Sequence, residues 1–480
     1  MATRDIPDLT TASRADKMPS LQLLTMLRLG LFQMSLGIMS ILTLGVLNRV
    51  LIDGLAVPAI VAAGAIAMHQ FVAPARVWFG QLSDTKTLFG LHRTGYVWIG
   101  AVLFTLVSFL AVQATWGLGG SLEAIGEWRW TLPVTGWTGL LGLLFAMYGV
   151  ALSSSSTPFA ALLVDVSDED DRSKLVGTVW SMLMVGIVIG AIVSGGLLRQ
   201  LDANASMEML RPQINRLFTV VPIAVVLLAL IGTVGIERQF SRFAVRSNIS
   251  EREDQITLGR ALRVLTASRQ TGLFFSFLLV MTISLFMQEP VLEPYGGQVF
   301  GMSYAETTML NAFWGTGTLI GLSLTGFLVV PRLGKQRTAR LGCFLVSGSF
   351  VLVILAGFTA NPTLLKSAIF LFGLASGVTT TGAISMMLDL TAAETAGTFI
   401  GAWGLSQALA RAIAVVMGGG VLSLGRLLFP ANVTLAYSVV FVLQALGMLL
   451  AVWFLGRVNI QEFRDNSRRA IAAILENELD

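Results

Sequence analysis

The chain has 480 residues, 54% of them hydrophobic and only 12% charged, where an ordinary soluble protein carries about 25% charged. That balance excludes a soluble enzyme, and a formal net charge of +4 on so apolar a chain reports membrane orientation and not a nucleic-acid partner. A single cysteine, Cys343, and two histidines, His69 and His92, exclude a disulfide framework and cysteine-rich zinc sites and nearly exclude a histidine-built metal centre.

A transmembrane helix needs about 20 predominantly apolar residues. Runs of that kind follow in chain order over 24–48, 58–80, 94–114, 138–164, 175–198, 216–236, 272–293, 306–330, 339–360, 363–388, 398–424 and 432–456. They predict an all-α membrane protein of twelve transmembrane helices. Met1 to Ser20 is polar and mixed in charge, and the first apolar run is long enough to span and lacks a small-residue cleavage site. It is therefore read as a retained helix and not as a secretory signal. The longest polar stretch, Glu237 to Thr271, separates an N-terminal six-helix half (1–236) from a C-terminal one (272–456), with a linker over 237–271 and a tail over 457–480. With the N-terminus cytoplasmic, the even-numbered turns and both termini hold about 24 of the 32 Lys+Arg and the opposite face about 7, as the positive-inside rule requires.

The two halves repeat each other. SSSSTPFAALLVDV carries Ser155, Ser156, Thr157 and Asp165, followed by Gly177; TTTGAISMMLDL carries Thr379, Thr380, Thr381 and Asp389, followed by Gly401, all at one constant offset. Duplicated halves of this kind are a construction habit of transporters. The hydroxyls have two readings: bonding back to their own helix so that neighbours pack closely, or substrate contact. A second repeated position follows runs two and eight, GQLSDTKTLFGLHR with Gly80, Asp84, Lys86, Gly90 and Arg93, and GFLVVPRLGKQR with Gly326, Gly334, Lys335 and Arg337. The first copy resembles the loop signature of the major facilitator superfamily, in which glycines allow a tight cytoplasmic turn and the acid caps or pairs across the gap between halves. In the second copy Val330 stands where the acid would be.

RLGLFQMSLGIMSILTLGVLNRV (Arg28 to Val50), HQFVAPARVWFGQLSD (His69 to Asp84) and QEPVLEPYGGQVFGMS (Gln288 to Ser303) resemble one branch of that superfamily, the PucC/LhaA family of bacteriochlorophyll-delivery proteins. The likeness covers nearly the whole chain, and its wording is nearest to cyanobacterial members. It implies two pseudo-symmetric six-helix halves, a photosynthetic membrane (thylakoid or inner membrane), and a part in light-harvesting antenna assembly with chlorophyll or bacteriochlorophyll as the pigment handled. Tetrapyrrole pigment, antenna or photosystem proteins and membrane lipids are the implied partners, and no covalent reaction is implied.

An ionisable group at bilayer depth costs at least about 2.5–3.5 kcal/mol, so each needs a partner or a task. Arg411 and Glu289 lie deep in runs eleven and seven and are candidates for a buried pair, or for the coupling pair of an ion-driven solute transporter, the rival reading. Arg49 and Glu293 are expected to snorkel from outward helix ends. His69 falls near the bilayer midplane, where a neutral imidazole can ligate the magnesium of a tetrapyrrole or simply bond to a neighbouring helix; Gln70 is a possible second partner. The stretch Thr115 to Trp137, with Trp116, Trp128, Trp130 and Trp137, reads as an interfacial aromatic belt or an antenna-docking patch. The tail from Asn459 reads as an amphipathic surface helix. A third reading, a pigment-bearing photosystem subunit, stays open.

Overall fold

In lipid, apolar runs can satisfy their own backbone groups only as helices. The computed structural model describes residues 22–167, 169–202, 205–241, 269–390 and 396–458, and every element in it is helical apart from an isolated bridge between Leu88 and Leu91. In order these are α1 (Leu23–Gly54), α2 (Ala59–Phe71), α3 (Ala75–Thr85), α4 (Thr94–Ile125), α5 (Leu132–Asp165), α6 (Glu169–Leu197), α7 (Met207–Thr233) and α8 (Ile236–Phe240). After the linker follow α9 (Arg269–Phe286), α10 (Leu292–Phe300), α11 (Tyr304–Leu333), α12 (Lys335–Thr359), α13 (Pro362–Leu390), α14 (Ala396–Leu428) and α15 (Val433–Gly456). Among the described residues eleven helices are long and apolar enough to cross a membrane, α2 and α3 counting as one, and a shorter apolar helix covers Gly272–Phe286. The chain is an integral, multi-pass, all-α membrane protein. The expected tail helix and most of the linker lie outside the described residues.

Short connections make successive helices antiparallel. One end of the bundle, here termed proximal, therefore holds the start of α1 and the end of α15, and the other, distal, end holds Arg49 and the α4–α5 turn. α1 packs on α6 and α7, α4 on α5 and α7, and α2 on α5; in the second group α12 packs on α13 and α15, α11 on α13, and α9 on α14 and α15. The groups meet where α6 lies on α11 and α2 on α14. Glycines set these crossings: a Cβ at Gly186 would run into the Met34 backbone of α1, and one at Gly317 would meet the Phe370 carbonyl and the Leu374 amide of α13.

Two helices are broken at mid-span. Between α2 and α3, Pro74 has no N–H to give the Gln70 carbonyl, which accepts from the Ala73 amide at 3.0 Å in a tightened turn over Val72–Pro74. Between α9 and α10, Pro290 ends the helix over Met287–Val291, and its own carbonyl accepts from Asn48 Nδ2 at 2.7 Å. Non-helical backbone at this depth is tolerated where protein covers it or where it lines a cavity. α1 contains two π-turns, Ile41–Val46 and Val50–Gly54, which flank Asn48 and Arg49. The extra residue in such turns re-aims side chains, here toward α10 and α11.

Candidate functional site

α14 lies between the two broken helices, with Gly418 against Met287 and Pro290 of the α9–α10 break and Gly419 against the start of α2. The α2–α14 contact runs as an antiparallel ladder: the Ile60 amide donates to Ser423 Oγ at 3.1 Å, Gly419 lies against Ala59 and Ala63, and Ala63 and Ala67 are buried with Val415. One further turn along that ladder brings Arg411 to the end of α2, and its side chain reaches Glu289 of the α9–α10 break. Arg411 Nε donates to Glu289 Oε2 at 3.2 Å, its Nη2 pairs with Oε1 of the same carboxylate, and its guanidinium lies 4.5 Å from the Phe286 ring centre. The pair is only partly shielded, with the Arg411 side chain 35% exposed and Glu289 14%. Next to it, Gln407 Oε1 accepts from Thr282 Oγ1 at 2.8 Å.

His69 ends α2 just before its break. Its Nδ1 donates to the Ile66 carbonyl at 2.5 Å, and the ring meets Tyr148 edge-on at 6.0 Å. In the neutral ring that bond places the proton on Nδ1 and leaves the lone pair on Nε2. Its orienting partner is thus its own helix. Gln70 is buried and its Oε1 has no partner. His69 and Arg76 both feel the charge of Arg411. Sequence gives no signal for Arg76, because it falls near the proximal end of its run and counts there with the orientation-setting cations.

The loop signature builds a second, proximal cluster. Gly90, at φ 70°, closes the turn after Phe89, which is itself at φ 58°. The turn delivers Arg93 to two acids, Asp84 at 2.6 Å and Asp165 at 2.9 Å, and to Ser83 Oγ at 2.6 Å. Glu237 accepts from the amides of His92, Arg93 and Thr94, capping the start of α4. All of these residues belong to the first helix group, so Asp84 does not pair across to the second. It lies on the same helix as Ser83 and is already neutralised by Arg93. Gly80 lies 3.6 Å from Thr157 by its would-be Cβ, while Lys86 contributes its carbonyl to Tyr96. Glu237 carries no sequence signal beyond opening the polar linker. Asp389 ends α13, and its side chain lies outside the described residues.

At the distal end the expectation of snorkelling is overturned. Arg49 is fully buried because α1 runs on to Gly54, and its guanidinium donates to the Ser303 carbonyl (2.8 Å), the Met302 carbonyl (2.7 Å), Thr307 Oγ1 (2.5 Å) and Asp53 (3.2 Å), with Tyr304 stacked 4.0 Å away. Glu293 is buried too, accepting from Asn311 Nδ2 at 2.6 Å against Gly45 of α1. Gln298 joins Asp53 (2.7 Å) to Arg426 (2.9 Å). These bonds join α1 to α10 and α11 at the distal end.

Other expectations resolve locally. Of the repeated hydroxyls, Ser155, Thr379 and Thr381 donate to carbonyls of their own helices, and Ser155 and Thr379 sit where Gly100 and Gly342 of neighbouring helices come close. For these three the back-bonded reading is the one the structure displays. The tryptophan stretch is mostly helix: Trp116 is buried and donates to Asn215 at 2.8 Å, Trp137 packs on Gly117, and only Trp128 and Trp130 stay in the turn, ring to ring at 5.2 Å. Cys343 is buried in α12, and among the described residues no three metal-ligating side chains come together.

A family profile described as "PUCC protein" matches residues 46–463. The relatives include an "Uncharacterized protein in puhA-bchM intergenic region" of Rhodobacter capsulatus, 29% identical over 90% of this chain and 88% of its own length. A "Bacteriochlorophyll synthase 44.5 kDa chain" of the same species is 29% identical over 89% and 94%, and a "Protein PucC" of Cereibacter sphaeroides 30% over 85% and 84%. These relatives are proteobacterial, and the expected cyanobacterial affinity finds no support among them. Among solved structures a point mutant of the nucleoside transporter NupG superposes with a TM-score of 0.67 at 11% identity over 90% of this chain and 99% of its own. A D-xylose-proton symporter superposes with 0.63 at 14% over 90% and 97%. At such identities the likeness shows the fold alone, that of major facilitator transporters.

Proposed function

Since the chain belongs to the PUCC protein family, we propose that it is a (bacterio)chlorophyll delivery and assembly factor for light-harvesting or photosystem complexes, working without catalysing a covalent reaction. The observation that carries this reading is the family match over 46–463, together with relatives named for PucC and for bacteriochlorophyll synthase. In this reading twelve spans form two six-helix halves, with α9 and α10 together making the seventh. Both termini are cytoplasmic, which makes the proximal end the cytoplasmic one, and the membrane is a photosynthetic one. The Asp84–Arg93–Asp165 cluster holds the proximal turns of the first half, and Asp389 is its counterpart in the second.

In this reading the pigment site lies at the end of α2. His69 fits the part of an axial ligand: one nitrogen is anchored to Ile66, the other keeps its lone pair, and the ring is only half-buried. A bound chlorophyll would supply the magnesium that accepts that lone pair. The chain supplies the anchored imidazole and the Tyr148 edge. His69→Phe keeps ring bulk and removes the nitrogen. The variant is expected to fold as the parent does while losing co-purified pigment or shifting its Soret band; unchanged pigment content and band position would remove His69 from the site.

A second reading has support from a particular observation. The Arg411–Glu289 pair sits beside a broken helix in a transporter fold, where substrates and coupling ions are commonly held. In that reading the pair couples ion movement to a small solute, the purified protein is colourless, and proteoliposomes accumulate solute when a proton gradient is imposed.

A further inference from the structure

Arg76 stands second in α3, just past the α2 break, about 13 Å along the helix from its end at Thr85. Among the described residues it makes no hydrogen bond and no ion pair, yet it is exposed and near enough to Arg411 for the two charges to repel. Arg411 belongs to the other helix group. The ladder from Ile60–Ser423 through Ala67–Val415 brings its turn to the end of α2, which puts the two cations near each other at the contact between the helix groups.

The local charge does not balance. Glu289 neutralises Arg411 with both of its oxygens, and His69 gives its Nδ1 proton to its own helix, which leaves Arg76 uncompensated at membrane depth. A cation left in that position needs a partner. Both arginines keep exposed surface, so a partner can reach them. The Phe286 ring under Arg411 and the exposed Phe71 beside the break add apolar surface next to the cations.

We propose that Arg76 and Arg411 form a two-cation site between the helix groups that binds the carboxylate or phosphate oxyanion of an amphiphilic ligand. Arg76 offers a full guanidinium fork to the anion, and Arg411, held by Glu289, offers its remaining N–H groups and its charge. The site does not depend on the pigment reading, because the acidic headgroup of a lipid satisfies it as well as a free carboxylate on a tetrapyrrole does.

The test uses the purified full chain in neutral detergent with two matched pairs of probes. One pair is a chlorin with a free propionate (chlorophyllide a) and its phytyl ester (chlorophyll a); the other is phosphatidylglycerol and phosphatidylcholine. Binding is read from the rise in apparent Tm with probe concentration. At least one acidic probe is expected to bind more tightly than its uncharged or zwitterionic partner. Arg76→Gln should weaken that binding by about tenfold or more, as loss of a charged hydrogen-bond donor does, while Arg76→Lys keeps much of it. A response confined to the chlorin acid identifies a pigment carboxylate, even if His69 proves uninvolved, and one confined to phosphatidylglycerol identifies a lipid headgroup. The proposal is overturned if neither acidic probe binds the parent, if Arg76→Gln binds both as the parent does, or if the variant loses the uncharged partner equally. Because Arg76 has no bond to break, Arg76→Gln should keep the parent's Tm without probe, which separates lost binding from lost fold.

Discussion

Arg49 and Arg411 are both arginines inside spans, and their surroundings set different consequences for losing them. Arg49 is wholly enclosed, with donors committed to two carbonyls, a hydroxyl and Asp53. Truncation leaves Asp53 buried without its cation, and removing one member of a buried charged pair typically costs ~3–5 kcal/mol. Arg411 keeps a third of its side chain in solvent, so screening blunts the effect of losing it. Arg426, at the rim, holds only Gln298 and Tyr437. Apparent Tm in detergent should therefore fall most for Arg49→Ala, less for Arg411→Ala and least for Arg426→Ala. Equal losses for Arg49→Ala and Arg426→Ala would contradict the enclosure of Arg49.

At the scale of elements, the crossings rest on glycines whose missing Cβ lets backbones touch. Gly317 on α11 abuts Phe370 and Leu374 of α13, whereas Gly348 on α12 faces open space. Gly317→Val should cost about 1–3 kcal/mol or more through overpacking, and Gly348→Val should be close to neutral, as read by thermal unfolding and by yield of monodisperse protein. The helices themselves are legible in the sequence, because about 20 apolar residues in a row leave the backbone no alternative in lipid. The Arg411–Glu289 contact also joins two residues whose depth alone marks them. The breaks are not legible from hydropathy, since Val72–Pro74 and Met287–Val291 interrupt the helix without interrupting the apolar run; only Pro74 and Pro290 mark them. The π-turns that bring Arg49 inside carry no compositional mark at all. Arg76 is hidden among the cations that set orientation, and Glu237 by its place at the edge of a polar linker. In both cases the missing information is which neighbour the fold brings near.

For the whole molecule, the proposed orientation, drawn from about 24 against 7 basic residues, has the proximal end in the cytoplasm. Phe89 on a proximal turn and Trp130 on a distal turn are both well exposed, at 68% and 62%, and the native Cys343 is buried. In intact cells a membrane-impermeant maleimide should label Trp130→Cys at once and Phe89→Cys only after permeabilisation; the reverse order would invert the topology. The proposed account seats a pigment near His69, on the proximal side of the bonds that join α1 to α10 and α11. The measurement that bears most directly on that account is the absorption spectrum of the full chain purified from its native membrane in mild detergent, read together with its size on a column. The account predicts tetrapyrrole bands travelling with a particle too small to contain a photosystem, whereas a colourless protein of that size, or bands found only in a photosystem-sized particle, would contradict it.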